Sequence, residues 1–302
     1  MRSLEPVRLR DVYELIYSLC RTEKVKYLCA LFQVSRSAYY RYRRGKSYRA
    51  DKKYNRPKHE VEKEFIQNHK RYGSRRIKAS LQEKGIIISR RKVASIMRKQ
   101  GLRAIQPRTF VPRTTNSRHG KRVSPNLLEA HPQVTKPNSV WVSDITYMPV
   151  KGGKWAYLCV WLDLFSRRIV SWRLAENMQE ILVREPLERA LLKRRVSPGM
   201  IIRSDRGGQY LSEKMKKLIK TFQLRQSMSG ADNPYDNAWA ESFWSRLKAE
   251  LDMPKGGYEC LERLNAVLFK YIEGYYNTAR LHSALNYSSP IAFETQYYRN
   301  TG

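Results

Sequence analysis

The chain has 302 residues, room for one large domain or two to three small ones. Lys and Arg number 59 against 27 Asp and Glu, a formal charge of +32; such an excess repels itself, calls for a polyanionic partner and excludes an ordinary metabolic enzyme. Hydrophobic residues make up 41% and aromatic residues 11%, enough to bury a core, so a disordered basic tail is excluded as well.

The longest apolar stretch, Trp155 to Leu162, is eight residues, far short of the ~20 that a membrane helix needs. No apolar targeting segment follows Met1, so the expectation is a cytoplasmic, nucleoid-associated protein with no membrane partner. Cys20, Cys29, Cys159 and Cys260 form no C-x-x-C pair and no disulfide framework, and are expected to be small buried hydrophobes. Charge divides the chain unevenly. Residues 1–137 hold 35 Lys/Arg against 10 Asp/Glu, while residues 138–302 hold 24 against 17. Most of the phosphate affinity therefore belongs to the first half.

In chain order, Val25, Leu28, Cys29 and Phe32 share one helical face, and after a short break Ser35 can cap a helix containing Arg36 and Arg41. The layout recurs downstream. A helix from Ser74 through Arg75 and Arg76 reaches Gly85, and Ser89 can cap a helix opening with Arg90, Arg91 and Lys92 and closing at Gly101. Helix, tight break and arginine-led helix describe a helix-turn-helix as well as they describe a plain helical hairpin. Two such units in a segment of charge +25 favour DNA binding through those seven basic residues. The domains expected are a helix-turn-helix over 1–50, a second over 51–102, a basic Pro-rich linker over 103–137, and a more evenly charged globular domain with C-terminal helices over 138–302. The linker has five prolines, and either follows a phosphate backbone or acts as a passive spacer.

The second half reads as α/β. Strands are expected at 140–148, 155–162, 168–174, 200–204 and 224–228, with a hairpin turn near Phe165 and Ser166. Helices are expected at 180–195 (with Pro186 its weak point), 212–222, 237–251 and 259–276. Leu261, Leu264, Leu268, Tyr271 and Tyr275 should form the apolar stripe of the last. This order suggests a mixed five-stranded sheet with helices on its faces.

Three carboxylates stand where surface charge has no evident use. Asp144 interrupts an apolar strand, Asp205 lies just past the end of another, and Glu241 sits among Trp239, Phe243 and Trp244 in a helix. Grouped carboxylates resist joint ionisation unless a cation joins them, and hard oxygen donors select Mg²⁺ or Mn²⁺. Two such ions ~4 Å apart would serve an in-line displacement at phosphorus.

At these residues the sequence resembles a known family. Trp141-Val-Ser-Asp144, Ser204-Asp205-Arg-Gly-Gly-Gln-Tyr210 and Asp236-Asn-Ala-Trp-Ala-Glu241-Ser-Phe-Trp-Ser-Arg-Leu-Lys248, with 35 residues between Asp205 and Glu241, resemble the DDE transposases of bacterial insertion sequences. Their catalytic core is retroviral-integrase-like and is read from the second of two overlapping frames. Arg71-Tyr-Gly-Ser-Arg-Arg-Ile77 and the tail Tyr276-Asn-Thr-Ala-Arg280-Leu-His282 extend the likeness.

The resemblance implies a ribonuclease H-like fold with Asp144, Asp205 and Glu241 as metal ligands, holding two Mg²⁺ or Mn²⁺ ions. It further implies a reaction in which water, then a DNA 3′-hydroxyl, attacks a phosphodiester. Lys248 follows Glu241 by seven positions and is expected to hold terminal phosphates; Arg206, Arg280 and His282 are further expected DNA contacts. Arg280 and His282 could equally lock a C-terminal helix onto the core. Asp163, at a hairpin turn, and Asp236, a helix cap, stay outside the site. The partners implied are double-stranded DNA, both element ends and target, and at least a second copy of the chain. Residues 1–24 lack a leucine zipper, so an upstream-frame helix-turn-helix and zipper protein is a further partner. The alternative functions are an inactive DNA-end-binding protein of the same fold, and a nuclease of RNA–DNA hybrids.

Overall fold

The structure, a computed structural model, describes residues 9–45, 50–106, 124–128, 133–229, 238–251 and 253–301. The side chains of residues 50–55, 238, 240 and 241 lie outside that description. The chain forms two compact units, Met1–Arg103 and Ala104–Gly302.

Among the described residues of the first unit the regular elements are all helices. Helices α1 (Leu9–Leu19), α2 (Val25–Leu31) and α3 (Arg36–Arg43) bury Tyr13, Ile16, Leu28, Cys29 and Tyr39. Val25 and Phe32 border this core, as their spacing requires. Ser35 caps α3, its hydroxyl accepting from the Ala38 amide at 3.0 Å. Helices α4 (Ala50–Gln67), α5 (Ser74–Glu83) and α6 (Arg90–Lys99) repeat the plan, burying Val61, Phe65, Ile77, Leu81, Val93 and Ile96. Ser89 caps α6 through the Lys92 amide at 3.2 Å. Gly85 and Gly101 end α5 and α6 with φ of +74° and +67°, where a side chain would be strained. Glu64 of α4 is 1% exposed and takes up the Ser80 hydroxyl at 2.6 Å and the Lys84 ammonium, which ties α4 to α5.

The second unit is built on strands β1 (Val140–Val150), β2 (Lys154–Asp163), β3 (Ile169–Ala175), β4 (Ile201–Ser204) and β5 (Arg225–Met228). They form one sheet in the order β3-β2-β1-β4-β5. β1–β2 and β2–β3 are antiparallel, β1–β4 and β4–β5 parallel. With helices α7 (Ile181–Lys193), α8 (Glu213–Thr221), α9 (Ala238–Glu250) and α10 (Leu261–Tyr271) around it, this is the ribonuclease H-like fold. A π-helical turn, Ile272–Tyr276, extends α10, and α11 (Pro290–Thr301) follows.

Strand alternation sorts the core into two layers. Val140, Val142, Met148, Leu158 and Val160 pack with Phe243, Trp244 and Leu247 of α9 and with Leu264, Leu268 and Tyr271 of α10. Trp141, Cys159, Trp161 and Ile202 pack on the other face with Leu182, Leu187 and Leu191 of α7 and Met215 of α8. α7 runs unbroken through Pro186, contrary to the weak point expected there. Proline inside a helix costs about 3 kcal/mol. Burying Leu182, Val183, Leu187 and Leu191 returns roughly 1.5–3 kcal/mol for each side chain, and packing wins.

Three expectations need correction. Cys20 is half-buried and Cys260 exposed rather than buried, and the Cys260 sulfur caps α10 by accepting from the Arg263 amide at 3.5 Å. Residues 124–128 of the linker dock on the second unit. The Met228 amide donates to the Pro125 carbonyl, the Leu127 amide donates to Ser227 Oγ, and Leu128 joins the core. Helices α1, α4 and α11 go beyond the elements expected. The rest of the linker, 107–123 and 129–132, and the loop with Asp236 lie outside the described residues.

Candidate active site

Parallel pairing positions the first two carboxylates. Val140, Trp141 and Val142 of β1 stand opposite Ile201, Ile202 and Arg203 of β4. Two residues beyond the last pair on each strand come Asp144 and Asp205, so the same register brings them side by side at the spacing of adjacent strands, about 5 Å. Both are half-buried. Because side chains alternate along a strand, Asp144 shares the face of Val140 and Val142, the face that α9 covers. From α9, Trp244 Nε1 donates to Asp144 Oδ2 at 2.8 Å. Asp205 Oδ1 accepts from the Gly207 amide at 3.0 Å.

Gly207 has an ordinary backbone conformation that any residue could adopt, so the turn itself does not require glycine. A Cβ there would come within 3.0 Å of Asp205 Oδ1 and 2.6 Å of Gln209 Oε1. It keeps room beside the carboxylate.

On the opposite face of β1, Ser143 Oγ shares hydrogen bonds with Tyr210 OH at 2.8 Å and Cys159 Sγ at 3.4 Å. Burial pushes the Cys159 thiol up to about 12, with Asp144 and Asp205 adding to the rise. The Tyr210 hydroxyl is raised well above its ordinary value by burial, again with both carboxylates contributing. Two negative charges thus act together on one buried pair of neutral groups. The nearby sulfur stays a thiol, unable to compete as a thiolate ligand, and the donors are carboxylate oxygens suited to a hard cation.

Lys248 lies on α9 one turn past Trp244. Burial lowers its pKa, while the charge of Asp144 acts to raise it. Glu241 lies on α9 three residues before Trp244. That spacing puts position 241 on the helix face that carries Trp244 and Lys248; the Glu241 side chain is outside the described atoms. Among the described residues no three His, Cys, Asp or Glu side chains form a metal-binding group.

An integrase core domain model matches residues 134–234 and a second integrase core domain model matches residues 223–290. An HTH-like domain model matches residues 53–110. The transposase for insertion sequence element IS904 of Lactococcus lactis is 39% identical over 76% of this chain and 90% of its own length. The transposase InsF for insertion sequence IS3A of Escherichia coli K12 is 35% identical over 90% of this chain and 94% of its own. The chain belongs to the insertion-sequence transposases. The insertion element IS600 31 kDa protein of Shigella sonnei is also similar, 37% identical over 90% of this chain and 99% of its own. Among solved structures, the HTLV-2 integrase catalytic core domain in complex with magnesium covers 54% of the transposase chain and 99% of its own, at 17% identity and a TM-score of 0.39.

The remaining expected contacts divide. Arg36, Arg41, Arg75, Arg90 and Arg91 are exposed, and Arg76 and Lys92 half-buried, with Arg76 over the Tyr72 ring at 5.6 Å. Arg206 donates from Nε to the Ser229 carbonyl at 2.9 Å. Arg280 is corrected. It is 1% exposed and binds Glu250 through Nε at 2.9 Å and Nη2 at 2.7 Å, so it locks the end of α9 and cannot reach a phosphate. Burial works against its charge, but the Glu250 bonds outweigh that and hold it protonated. His282 stands half-buried beside it, ring to ring with Tyr276.

Asp163 stays outside the site for a structural reason. It is fully buried and accepts from the Asn138, Phe165 and Ser166 amides and from Trp141 Nε1, closing the β2–β3 hairpin. Sequence reasoning missed Trp244 as the partner of Asp144. Its signal was available: an indole placed one turn from Glu241 in an apolar helix has a donor that burial obliges to find an acceptor.

Proposed function

We propose that this chain is a DDE-type transposase that cuts insertion-sequence ends in DNA and joins them to a target, with Asp144, Asp205 and Glu241 as the carboxylate triad. One observation supports the reading: the β1–β4 pairing ends at Val142 opposite Arg203, two residues short of Asp144 and of Asp205, under the helix that bears position 241, and Trp244 of that helix bonds Asp144. The donor chemistry fits Mg²⁺ or Mn²⁺, two ions by the logic of in-line displacement. Bound there, such ions supply Lewis-acid stabilisation of the attacking and leaving oxygens.

The chain's own groups do the rest. Asp144 and Asp205 offer anionic oxygens from rigid strand positions. Trp244 fixes which way the Asp144 carboxylate turns. Lys248, half-buried close to Asp144, offers an ammonium to a phosphate near the scissile bond. Arg36, Arg41, Arg75, Arg76, Arg90, Arg91, Lys92 and Arg206 are proposed DNA contacts, the first seven on the two helical bundles, with His282 a further candidate.

Pairing two ends requires at least a homodimer, and an upstream-frame protein is a further proposed partner. Work on bacterial chromosomal DNA puts the protein in the cytoplasm at the nucleoid. Among the described residues no helix is long and apolar enough to cross a membrane.

The test incubates the full chain with a labelled element end and Mg²⁺, and compares Asp205→Asn with the parent. The parent should cleave and join while the variant only binds. Joining that survives in the variant refutes the assigned site, and a parent that binds without cutting turns the reading to an inactive end-binding protein.

A further inference from the structure

A second cavity lies at the other end of the parallel strands. It measures about 600 Å³ and is lined by Lys136, Arg168, Lys193, Arg194, Arg195 and Glu294, with Met200 and Gly199 leading into β4. Five cations face one carboxylate. Glu294 is 3% exposed and saturated from within, accepting from Ser166 Oγ at 2.8 Å, Arg168 Nη1 at 2.7 Å and Arg194 Nη2 at 2.7 Å. Arg194 Nε donates to Asn138 Oδ1 at 2.7 Å. These bonds set two guanidinium groups in a braced floor.

The other three cations have different surroundings. Lys136, Lys193 and Arg195 are exposed around the rim, and among the described residues none has a carboxylate within ion-pair distance. Like charges this close repel unless an anion joins them, and a concave surface focuses their field on one point.

We infer that this cavity binds the phosphate backbone of a second DNA segment, separate from the phosphodiester held at Asp144 and Asp205. The inference rests on the DNA-processing reading above. Met200 at the cavity and Asp205 at the carboxylates stand five residues apart along an extended strand, about 16 Å. One phosphate cannot touch both. Planar guanidiniums with amines around them suit the oxygens of a phosphodiester, and a chain that joins two DNA segments must hold more than the bond it cuts.

The test is a footprint on the full-length protein. Surface lysines are acetylated with an amine-reactive reagent and read by mass spectrometry, alone, with duplex DNA, and with inorganic tripolyphosphate. Duplex should suppress labelling of Lys136 and Lys193 several-fold and leave exposed Lys255 unchanged, in the parent and in Asp205→Asn alike. No protection, or protection by tripolyphosphate and not by duplex, overturns the inference.

A second variant reads function: Lys136→Glu with Lys193→Glu and Arg195→Glu, all exposed positions. Joining to target should fall about tenfold, and the salt slope of duplex binding should shrink by about 0.9 for each phosphate no longer neutralised, while cleavage at the element end stays within about twofold of the parent. Equal loss of both steps, or no loss of either, counts against a second segment. Protection in a parent that never cleaves keeps the cavity and removes the transposase reading instead.

Discussion

The two ends of the β1–β4 strand pair use the same residue type in opposite ways. At one end Asp144 and Asp205 are half-buried, one bonded by the Trp244 indole and the other by the Gly207 amide. At the other end Asp163 and Glu294 are buried and saturated by amides, an indole, a hydroxyl and two guanidiniums. What separates the proposed catalytic carboxylates, Asp144 and Asp205, from the structural ones, Asp163 and Glu294, is burial: the first two are half-buried, and the second two lie in the core with their lone pairs spent on protein donors. Disturbing the first kind should remove activity and leave stability alone; disturbing the second should do the reverse.

The largest effect expected is at the first end. Asp144→Asn keeps the shape and an acceptor for Trp244 while removing the charge. Strand cleavage should fall by about a thousandfold or more, with a thermal midpoint at or above that of the parent, because one of two adjacent like charges is gone. A variant that cleaves normally breaks the comparison at its base.

Next is Arg280→Met, which strips the buried Glu250 of its guanidinium while the Tyr271 hydroxyl still bonds it. Breaking a buried pair by removing one partner costs about 3–5 kcal/mol, readable as a lower urea midpoint at constant slope. Glu250→Gln added to it should recover part of that loss. Equal midpoints for parent and Arg280→Met would return Arg280 to the surface cations.

Glu294→Gln is a smaller perturbation with a pH signature. Burial raises the Glu294 pKa, but Arg194 and Arg168 outweigh it and hold the value below the ordinary carboxylate range. A depressed acid contributes stability above its unfolded pKa, near 4.3, and loses it as pH falls through the folded value. The midpoint gap between parent and variant should therefore be widest above about pH 5, of the order of 2 kcal/mol, and close in more acid solution. A gap that widens toward acid contradicts the pairing.

Much of this was legible in the sequence because strands and catalytic motifs carry short-range signals. The five strands follow from apolar runs and alternation, Ser35 and Ser89 from cap position, and Asp144 and Asp205 from being acids where a strand pattern leaves no reason for one. What stayed hidden depends on neighbours distant along the chain. Arg280 looks like a basic-tail residue until Glu250, thirty residues earlier, is found against it. Residues 124–128 look like linker until β5 supplies partners. Helices α4 and α11 have apolar stripes too sparse to stand out from a polar background, whereas Val12, Tyr13 and Ile16 of α1 form a stripe that the sequence does show. Pro186 signals a break that is overruled only by the sheet beneath α7.

The smallest effect sharpens the comparison most, because it concerns orientation and not charge. Trp244→Phe keeps an aromatic ring in the core beside Phe243, removes the donor to Asp144 and leaves a small void where the indole was. Groups that orient a metal ligand without touching the metal are worth about 10–100-fold in affinity or activity. The expected result is a loss near the lower figure, about tenfold, because the Asp144 charge and the strand register both remain. The loss should appear as a higher Mg²⁺ concentration for half-maximal cleavage, and saturating Mg²⁺ should restore most of the rate. A structural role alone predicts a different pattern, a lowered thermal midpoint with an unchanged metal requirement. If that is what is measured, the indole belongs to the packing of α9, and Asp144 takes its orientation from β1 alone.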